Sequence, residues 1–316
     1  MAETLTIRPM VEEDLAGVLD TLRAALGETS LLRRTPEQWH WKHTLNPFGT
    51  SIVLVAVNRE RVAAVRAFMR WRLSTADGGE LSCVRAVDTA VHPEFQRRGL
   101  FRSLNEAAIE VARDDGVDLV FNTPNTKSRP GYLKQGWTDV GPIGVMVRPT
   151  LRLLSGHSGD EATDAASVMP GARTAQDLPD SDRAPRGLRT LRSVAYREWR
   201  FGQHPTARYV RVDEDGSTAV LRVNRRDGRN ELVVSELIGV DGRRPIGEAA
   251  HQTTAAYLVG WFSRGSPERT QAIRARMIPI PRLAALRLVA RPLTTIGVDV
   301  FELGNWDLSL GDLELL

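Results

Sequence analysis

The stretch from Val87 to Arg102, VDTAVHPEFQRRGLFR, constrains this chain more than any other. A β-branched strand breaks at His92-Pro93 into an arginine-rich turn, and the turn opens directly onto an amphipathic helix. The first turn of a helix leaves N–H groups without intrahelical partners. With the helix dipole they form a positive concavity suited to a phosphate or diphosphate. Gly99 lets a ligand come close to the main chain. Arg97, Arg98 and Arg102 add guanidinium groups whose planar forks suit phosphate oxygens, although exposed arginines at a helix start are also commonly just solvated.

The flanking pattern gives this loop a setting. Thr4 to Pro9 alternates like a short strand, and Val11 to Leu26 places Leu15, Val18, Leu19, Leu22 and Leu26 at helical spacing. Pro36 opens a second helix carrying Trp39, Trp41 and Leu45, which stops at Asn46-Pro47. Three runs, 52–57, 62–72 and 81–91, read as an antiparallel meander parted by turns such as Asp77-Gly78-Gly79. After the loop, Leu100, Leu104, Ala107, Ala108, Val111 and Ala112 share one helix face that ends near Gly116. A buried strand is predicted over 117–122, then a short helix capped by Ser128 that holds Tyr132, then a last strand over about 140–147.

Gln96-Arg97-Arg98-Gly99-Leu100-Phe101 resembles the acyl-CoA loop of the GNAT superfamily of N-acetyltransferases. That pattern is Gln or Arg, two residues, Gly, one residue, then Gly or Ala, and Phe101 stands at its last position. Tyr132-Leu133-Lys134-Gln135-Gly136-Trp137 resembles the family's second signature, Tyr, three residues, Gly, aromatic. The element order matches as well, so the resemblance runs from residue 1 to about 149. It implies an α/β (α+β) fold with a mixed, mostly antiparallel central sheet flanked by helices. It implies an acetyl-CoA-dependent N-acetyltransferase in which the amine of a small molecule attacks the acyl group directly in a ternary complex. By the same resemblance Gln96, Arg97, Arg98, Gly99, Leu100, Phe101 and Arg102 bind the cosubstrate, the backbone N–H groups near Ala90 and Val91 hold the thioester carbonyl, and the Tyr132 hydroxyl faces the sulfur as general acid.

Three further candidates come from the residues themselves. Asn125 follows the fifth strand and could bond pantetheine amides, or serve ordinary turn chemistry beside Pro124. Asp88 is a candidate general base, on the strand that feeds the loop, and His92 is the alternative, with a water chain as the third. Cys83 reads as a small apolar strand residue, and Trp39, Trp41, Trp71 and Trp199 as core anchors.

At 316 residues the chain suits two units of about 150 each. Residues 155–187 are rich in Gly, Ser, Asp, Ala and Pro, so the expected division is a catalytic domain over 1–149, a flexible linker over 150–187 and a second domain over 188–316. The second domain echoes the first: Trp199-Arg200 precedes Pro205 as Trp41-Lys42 precedes Pro47, and Thr218 to Arg222 answers Val62 to Arg66. It lacks any counterpart of the loop or of the Tyr132 motif. A degenerate GNAT-like copy is expected, forming one wall of the acceptor pocket or an oligomer contact such as a homodimer's.

A net charge of +3, despite a pI near 9.3, disfavours nucleic acid as the main partner. One cysteine precludes an internal disulfide framework and a Cys-based zinc site, so no metal is expected. Neither a secretory leader nor a membrane span is visible, which points to the cytoplasm. P-loop and dinucleotide-binding glycine patterns are missing from the sequence. Two alternatives stay open: a transferase of the same fold drawing on another donor such as aminoacyl-tRNA, and a non-catalytic acyl-CoA sensor.

Overall fold

Strands such as Ile52–Asn58 and Arg61–Ser74 bury most of their side chains, in consecutive runs that require a layer on each face of their sheet. The computed structural model describes residues 5–28, 33–59, 61–154, 165–179, 183–280 and 286–313. In chain order the elements are β1 (Thr6–Pro9), α1 (Leu15–Leu26), α2 (Pro36–His43), β2 (Ile52–Asn58), β3 (Arg61–Ser74), β4 (Glu80–Val91), α3 (Leu100–Asp114), β5 (Leu119–Asn122), α4 (Arg129–Leu133), β6 (Thr138–Ile143) and β7 (Val145–Pro149). They continue as α5 (Leu151–Leu154), α6 (Ala165–Val168), β8 (Arg173–Thr174), β9 (Arg189–Thr190), α7 (Val194–Arg197), β10 (Tyr209–Glu214), β11 (Ser217–Arg226), β12 (Arg229–Ile238), α8 (Arg243–Gln252), β13 (Tyr257–Gly260), α9 (Pro267–Arg274), β14 (Ile278–Ile280), β15 (Leu286–Pro292) and α10 (Leu310–Leu313).

The chain divides into two units, and neither is contiguous. The first comprises Met1–Leu73, Glu80–Val140 and Leu288–Phe301. Its sheet runs β1-β2-β3-β4-β5-β15-β6, with β1/β2 and β2/β3 antiparallel, β4/β5 parallel and β5/β15 antiparallel. One face is covered by α1, whose Leu15, Val18, Leu19 and Leu22 pack with Val55, Val57 and Val65. On another core, Leu100, Leu104, Ala108 and Ile109 of α3 pack with Val84, Val120 and Tyr132. Leu26 and Val111, expected on these apolar stripes, are exposed instead.

The second unit comprises Ser74–Gly79, Gly141–Arg287 and Glu302–Leu316. Its sheet, read as β8-β10-β11-β12-β13-β7-β14, is antiparallel except for the β12/β13 pair. The two sheets therefore follow one plan, in which a parallel fourth and fifth strand are followed by an antiparallel sixth. In each, the sixth strand comes from a distant part of the chain: β15 in the first and β7 in the second.

Two expectations are corrected. The last strand over 140–147 is two strands, β6 and β7, which join different sheets, so the division at residue 149 gives way to one at residue 140 with a return at residue 288. The expected linker over 150–187 lies in part outside the described residues. Its described part is folded, since Val168 and Met169 enter the core of the second unit and Ala175 and Leu178 form a smaller cluster there. Small and polar residues hid these few anchors. The tryptophans Trp39, Trp41, Trp71 and Trp199 are buried as expected. Among the described residues no helix is long and apolar enough to cross a membrane.

Candidate active site

The arginine-rich turn becomes an anion cradle through two left-handed residues. Gly99 is the N-cap of α3 at φ 78°, a conformation that costs glycine nothing, and Arg97 adopts φ 63°, which strains a residue bearing a Cβ. Having no side-chain oxygen, Gly99 caps nothing, and the N–H groups of Gly99, Leu100 and Phe101 find no acceptor among the described residues. Open space surrounds the position a Cβ on Gly99 would take.

These groups border a cleft of about 640 Å³. Of the residues singled out from sequence, Ala90, Val91, Gln96, Arg97, Gly99, Leu100, Phe101 and Arg102 line it. The Gln96 amide turns back onto the Val91 carbonyl at 3.4 Å, and Arg102 pairs with Glu106 at 2.7 Å one turn along α3. Arg98 lies outside this lining, its guanidinium 5.1 Å above the Phe95 ring. Ala25, Leu26, Thr89, Glu106, Gly131, Lys134 and Gln135 complete the wall.

Phe101 fits because residue 131 is glycine: a Cβ there would sit 3.0 Å from the Phe101 ring. The ring meets Tyr132 edge-on, with centroids 5.4 Å apart. Tyr132 itself is buried on α4, and its hydroxyl accepts a hydrogen bond from Arg66 Nη1 at 2.7 Å. The phenol hydrogen has no acceptor among the described residues. The same Nη1 reaches Oγ1 of the cleft residue Thr89 at 2.8 Å, so the phenol sits beside the cleft wall.

Asn125 does not line the cleft. Its side-chain oxygen accepts from the backbone of Lys127 and Ser128 and from the Ser128 hydroxyl, so Asn125 organises the turn into α4, and Ser128 makes no side-chain cap. The Asn125 amide nitrogen has no partner among the described residues.

Residues 6–140 match the family model described as an acetyltransferase (GNAT) domain. These residues form a GNAT acetyltransferase domain. Three solved structures resemble most of the chain in fold. A GCN5-related N-acetyltransferase from Kribbella flavida shares 16% identity over 92% of this chain and 71% of its own, with a TM-score of 0.61. One from Anabaena variabilis gives 12%, 92%, 73% and 0.59, and Eis1 from Mycobacterium abscessus gives 12%, 92%, 73% and 0.56. No curated protein matches the sequence.

Within the GNAT domain Asp88 takes a place that sequence reasoning missed. It sits on β4 at φ 41°, and its carboxylate accepts from Arg34 at 2.8 Å, Lys42 at 2.9 Å and His43 Nε2 at 3.1 Å, all of them buried. Burial alone would push its carboxyl pKa up, but Lys42, the His43 hydrogen bond and Arg34 together hold it well below the usual carboxylate range. A carboxylate held this way is less basic than a free one, and it does not line the cleft. The structure thus places Asp88 in this ion cluster and not in the cleft lining. The second unit repeats the device, with Glu236 of β12 held by Arg192 at 3.4 Å and Arg197 at 3.3 Å, in a domain without the loop. That recurrence marks it as architecture. His92, the other candidate, accepts from the Glu94 N–H at 3.4 Å in an exposed turn.

His43 shows how tightly the cluster is set. An ionised Asp88 only accepts, so Nε2 carries the ring proton and Nδ1 accepts from the Ser51 hydroxyl at 2.9 Å. Burial pushes the imidazole pKa down, with Asp88 opposing and Lys42 adding to the fall. Because the folded pKa lies below the unfolded one, the unfolded chain takes up a proton first as pH falls. Stability from neutral His43 is complete above about pH 6.5 and is lost progressively below it. Thermal melts between pH 5 and 7.5 are expected to show this slope, and His43→Gln, which preserves both hydrogen bonds, is expected to flatten it.

Proposed function

We propose that this chain is an acetyl-CoA-dependent N-acetyltransferase that passes the acetyl group directly to the amine of a small molecule. The observation that carries the proposal is the single cleft bordered at one end by unbonded N–H groups of Gly99 to Phe101 and elsewhere by the wall beside the Tyr132 phenol. The donor set fits the cosubstrate: three unpartnered N–H groups at a helix start, with Arg97 and Arg102 at the margin, suit a diphosphate. When bound, the cosubstrate supplies an activated acyl group.

The chain's residues would then divide the work. Gln96 to Arg102 hold the diphosphate, and Arg98 remains on Phe95 unless it swings outward. Backbone at Ala90 and Val91, beside the left-handed turn at Asp88, faces the acyl carbonyl and stabilises its developing negative charge. Tyr132 gives its proton to the departing sulfur. With Asp88 sealed in its ion cluster, the amine loses its proton to water rather than to a side chain. The second unit, with the same strand plan but only Gly239–Gly242 between β12 and α8, is a GNAT-like copy that has lost its cradle.

Calorimetry with acetyl-CoA, followed by turnover on a panel of amines, tests the proposal. Tyr132→Phe is expected to lower kcat by roughly 100- to 10,000-fold while leaving acetyl-CoA affinity within about twofold. Binding without thiol release for any amine would favour a sensor. No affinity for acetyl-CoA, with turnover of an aminoacyl-tRNA, would move the donor to that class.

A further inference from the structure

Arg66 is the one charged residue in the apolar stretch from Val62 to Met69 of β3, with no exposed surface. A buried guanidinium ordinarily has a carboxylate partner. Arg66 has none among the described residues. Its Nη1 donates to the Tyr132 hydroxyl at 2.7 Å and to Thr89 Oγ1 at 2.8 Å, its Nη2 donates to Asn105 Oδ1 at 2.5 Å, and its Nε has no acceptor among the described residues. The guanidinium also lies 4.6 Å from the Phe68 ring centroid and 5.1 Å from that of Tyr132.

We infer that Arg66 is a positioning residue for the proton donor: it locks the Tyr132 oxygen as an acceptor and leaves the phenol hydrogen for the departing sulfur. The inference rests on the acetyl-transfer reading above. A guanidinium carries donors only, so the phenol hydrogen cannot point at it. Asn105 is itself anchored, donating to Gln135 Oε1 at 2.6 Å, while Gln135 donates to the Gly131 carbonyl at 3.0 Å. The chain from Arg66 through Asn105 and Gln135 thus returns to the helix that bears Tyr132. During transfer the amine nitrogen forms the C–N bond and the C–S bond breaks with its electron pair on sulfur. The phenol proton passes to that sulfur. The phenolate left beside the guanidinium retakes a proton from solvent, and the new amide sheds one to it.

The test is a double-mutant cycle on the full chain with acetyl-CoA and an accepted amine. Arg66→Gln places a carbonyl where it can capture the phenol hydrogen. It is expected to lower kcat about 10- to 100-fold, with acetyl-CoA affinity by calorimetry within about twofold. Arg66→Lys, still donor-only, is expected to recover most of that loss. In a Tyr132→Phe background Arg66→Gln should change kcat no further, because the hydrogen it misdirects is gone. Arg222→Gln, at the answering position on β11, serves as the control that lowers the melting temperature and spares kcat. Should Arg66→Gln fail to fold, Asn105→Asp supplies the missing carboxylate, and a severalfold fall in kcat is expected as the guanidinium is drawn from the phenol. Losses that multiply in the double mutant, or an unchanged kcat in Asn105→Asp, would overturn the inference while acetyl transfer stood. A Tyr132→Phe enzyme with undiminished kcat would overturn the proton-donor reading, and this inference with it.

Discussion

A fragment ending at residue 149, produced alone, is expected to stay unfolded or aggregate, although it contains every sequence motif of the GNAT domain. The reason is β15. Its register sets Val289 against Asn122, Ala290 against Phe121, Arg291 against Val120 and Pro292 against Leu119. Leu288, Val289 and Ala290 are fully buried. Arg291 donates to the carbonyl of Gln135, within the Tyr132 motif, at 2.8 Å, and the Leu293 N–H donates to the Asp118 carbonyl at 2.7 Å. Removing the strand strips β5 of a hydrogen-bonded neighbour and bares an apolar sheet edge, which invites pairing with other chains. Burying one large aliphatic side chain contributes roughly 1.5–3 kcal/mol, against a net domain stability of about 5–15 kcal/mol. Losing the strand's buried side chains and its ladder together consumes most of that margin. Circular dichroism and amide-dispersion NMR of the fragment test this, and appending residues 286–301 through a flexible linker is expected to restore a cooperative melt. A 1–149 fragment that melts cooperatively on its own would contradict the role given to β15. In the full chain, Val289→Asp should cost about 3–5 kcal/mol, since it buries an unpaired charge between β5 and β6.

The contrast between motif and strand explains what the sequence discloses. The cradle is local: Gln96, Gly99 and the helix that follows lie within one stretch of chain, and their spacing alone sets the N–H geometry. Tyr132 to Trp137 is local in the same way. Phe101, anomalous when read alone, makes sense only beside Gly131, thirty residues on. Asp88 could not be read from its strand, because the cations that disarm it arrive from Arg34, Lys42 and His43 of the preceding loop and α2. Arg66 did leave a signal, as a lone guanidinium within Val62 to Met69, but its partners lie on β4, α3 and α4, and no periodicity connects them. β7 is the hardest case. Its apolar pattern continues that of β6 after one glycine, Gly144, so only tertiary pairing reveals that the chain has left one sheet for another.

Asp88→Asn should be among the most damaging single substitutions in the first unit, and the form of the damage separates structure from catalysis. Asparagine tolerates the left-handed backbone at φ 41°, so the change isolates the charge. Arg34 and Lys42 would remain buried, with side-chain exposures of 5% each, and would have no carboxylate between them. Breaking a buried pair by removing one partner costs about 3–5 kcal/mol, which corresponds to a fall in melting temperature of roughly 10 °C for a unit of this size. If Asp88 were the general base, the acid limb of the kcat/KM profile would move or vanish in the variant. With the carboxyl already held well below the usual range and outside the cleft lining, that limb is expected to keep its midpoint at a temperature where the variant is folded. The loss of stability should moreover persist across neutral pH and shrink only in strong acid. A depressed carboxyl pKa contributes stability above the unfolded value near ~4, and that contribution disappears as pH falls through the folded value. Melts of wild type and Asp88→Asn that converge already at pH 6 would contradict the ion cluster, and a displaced acid limb would return Asp88 to the chemistry.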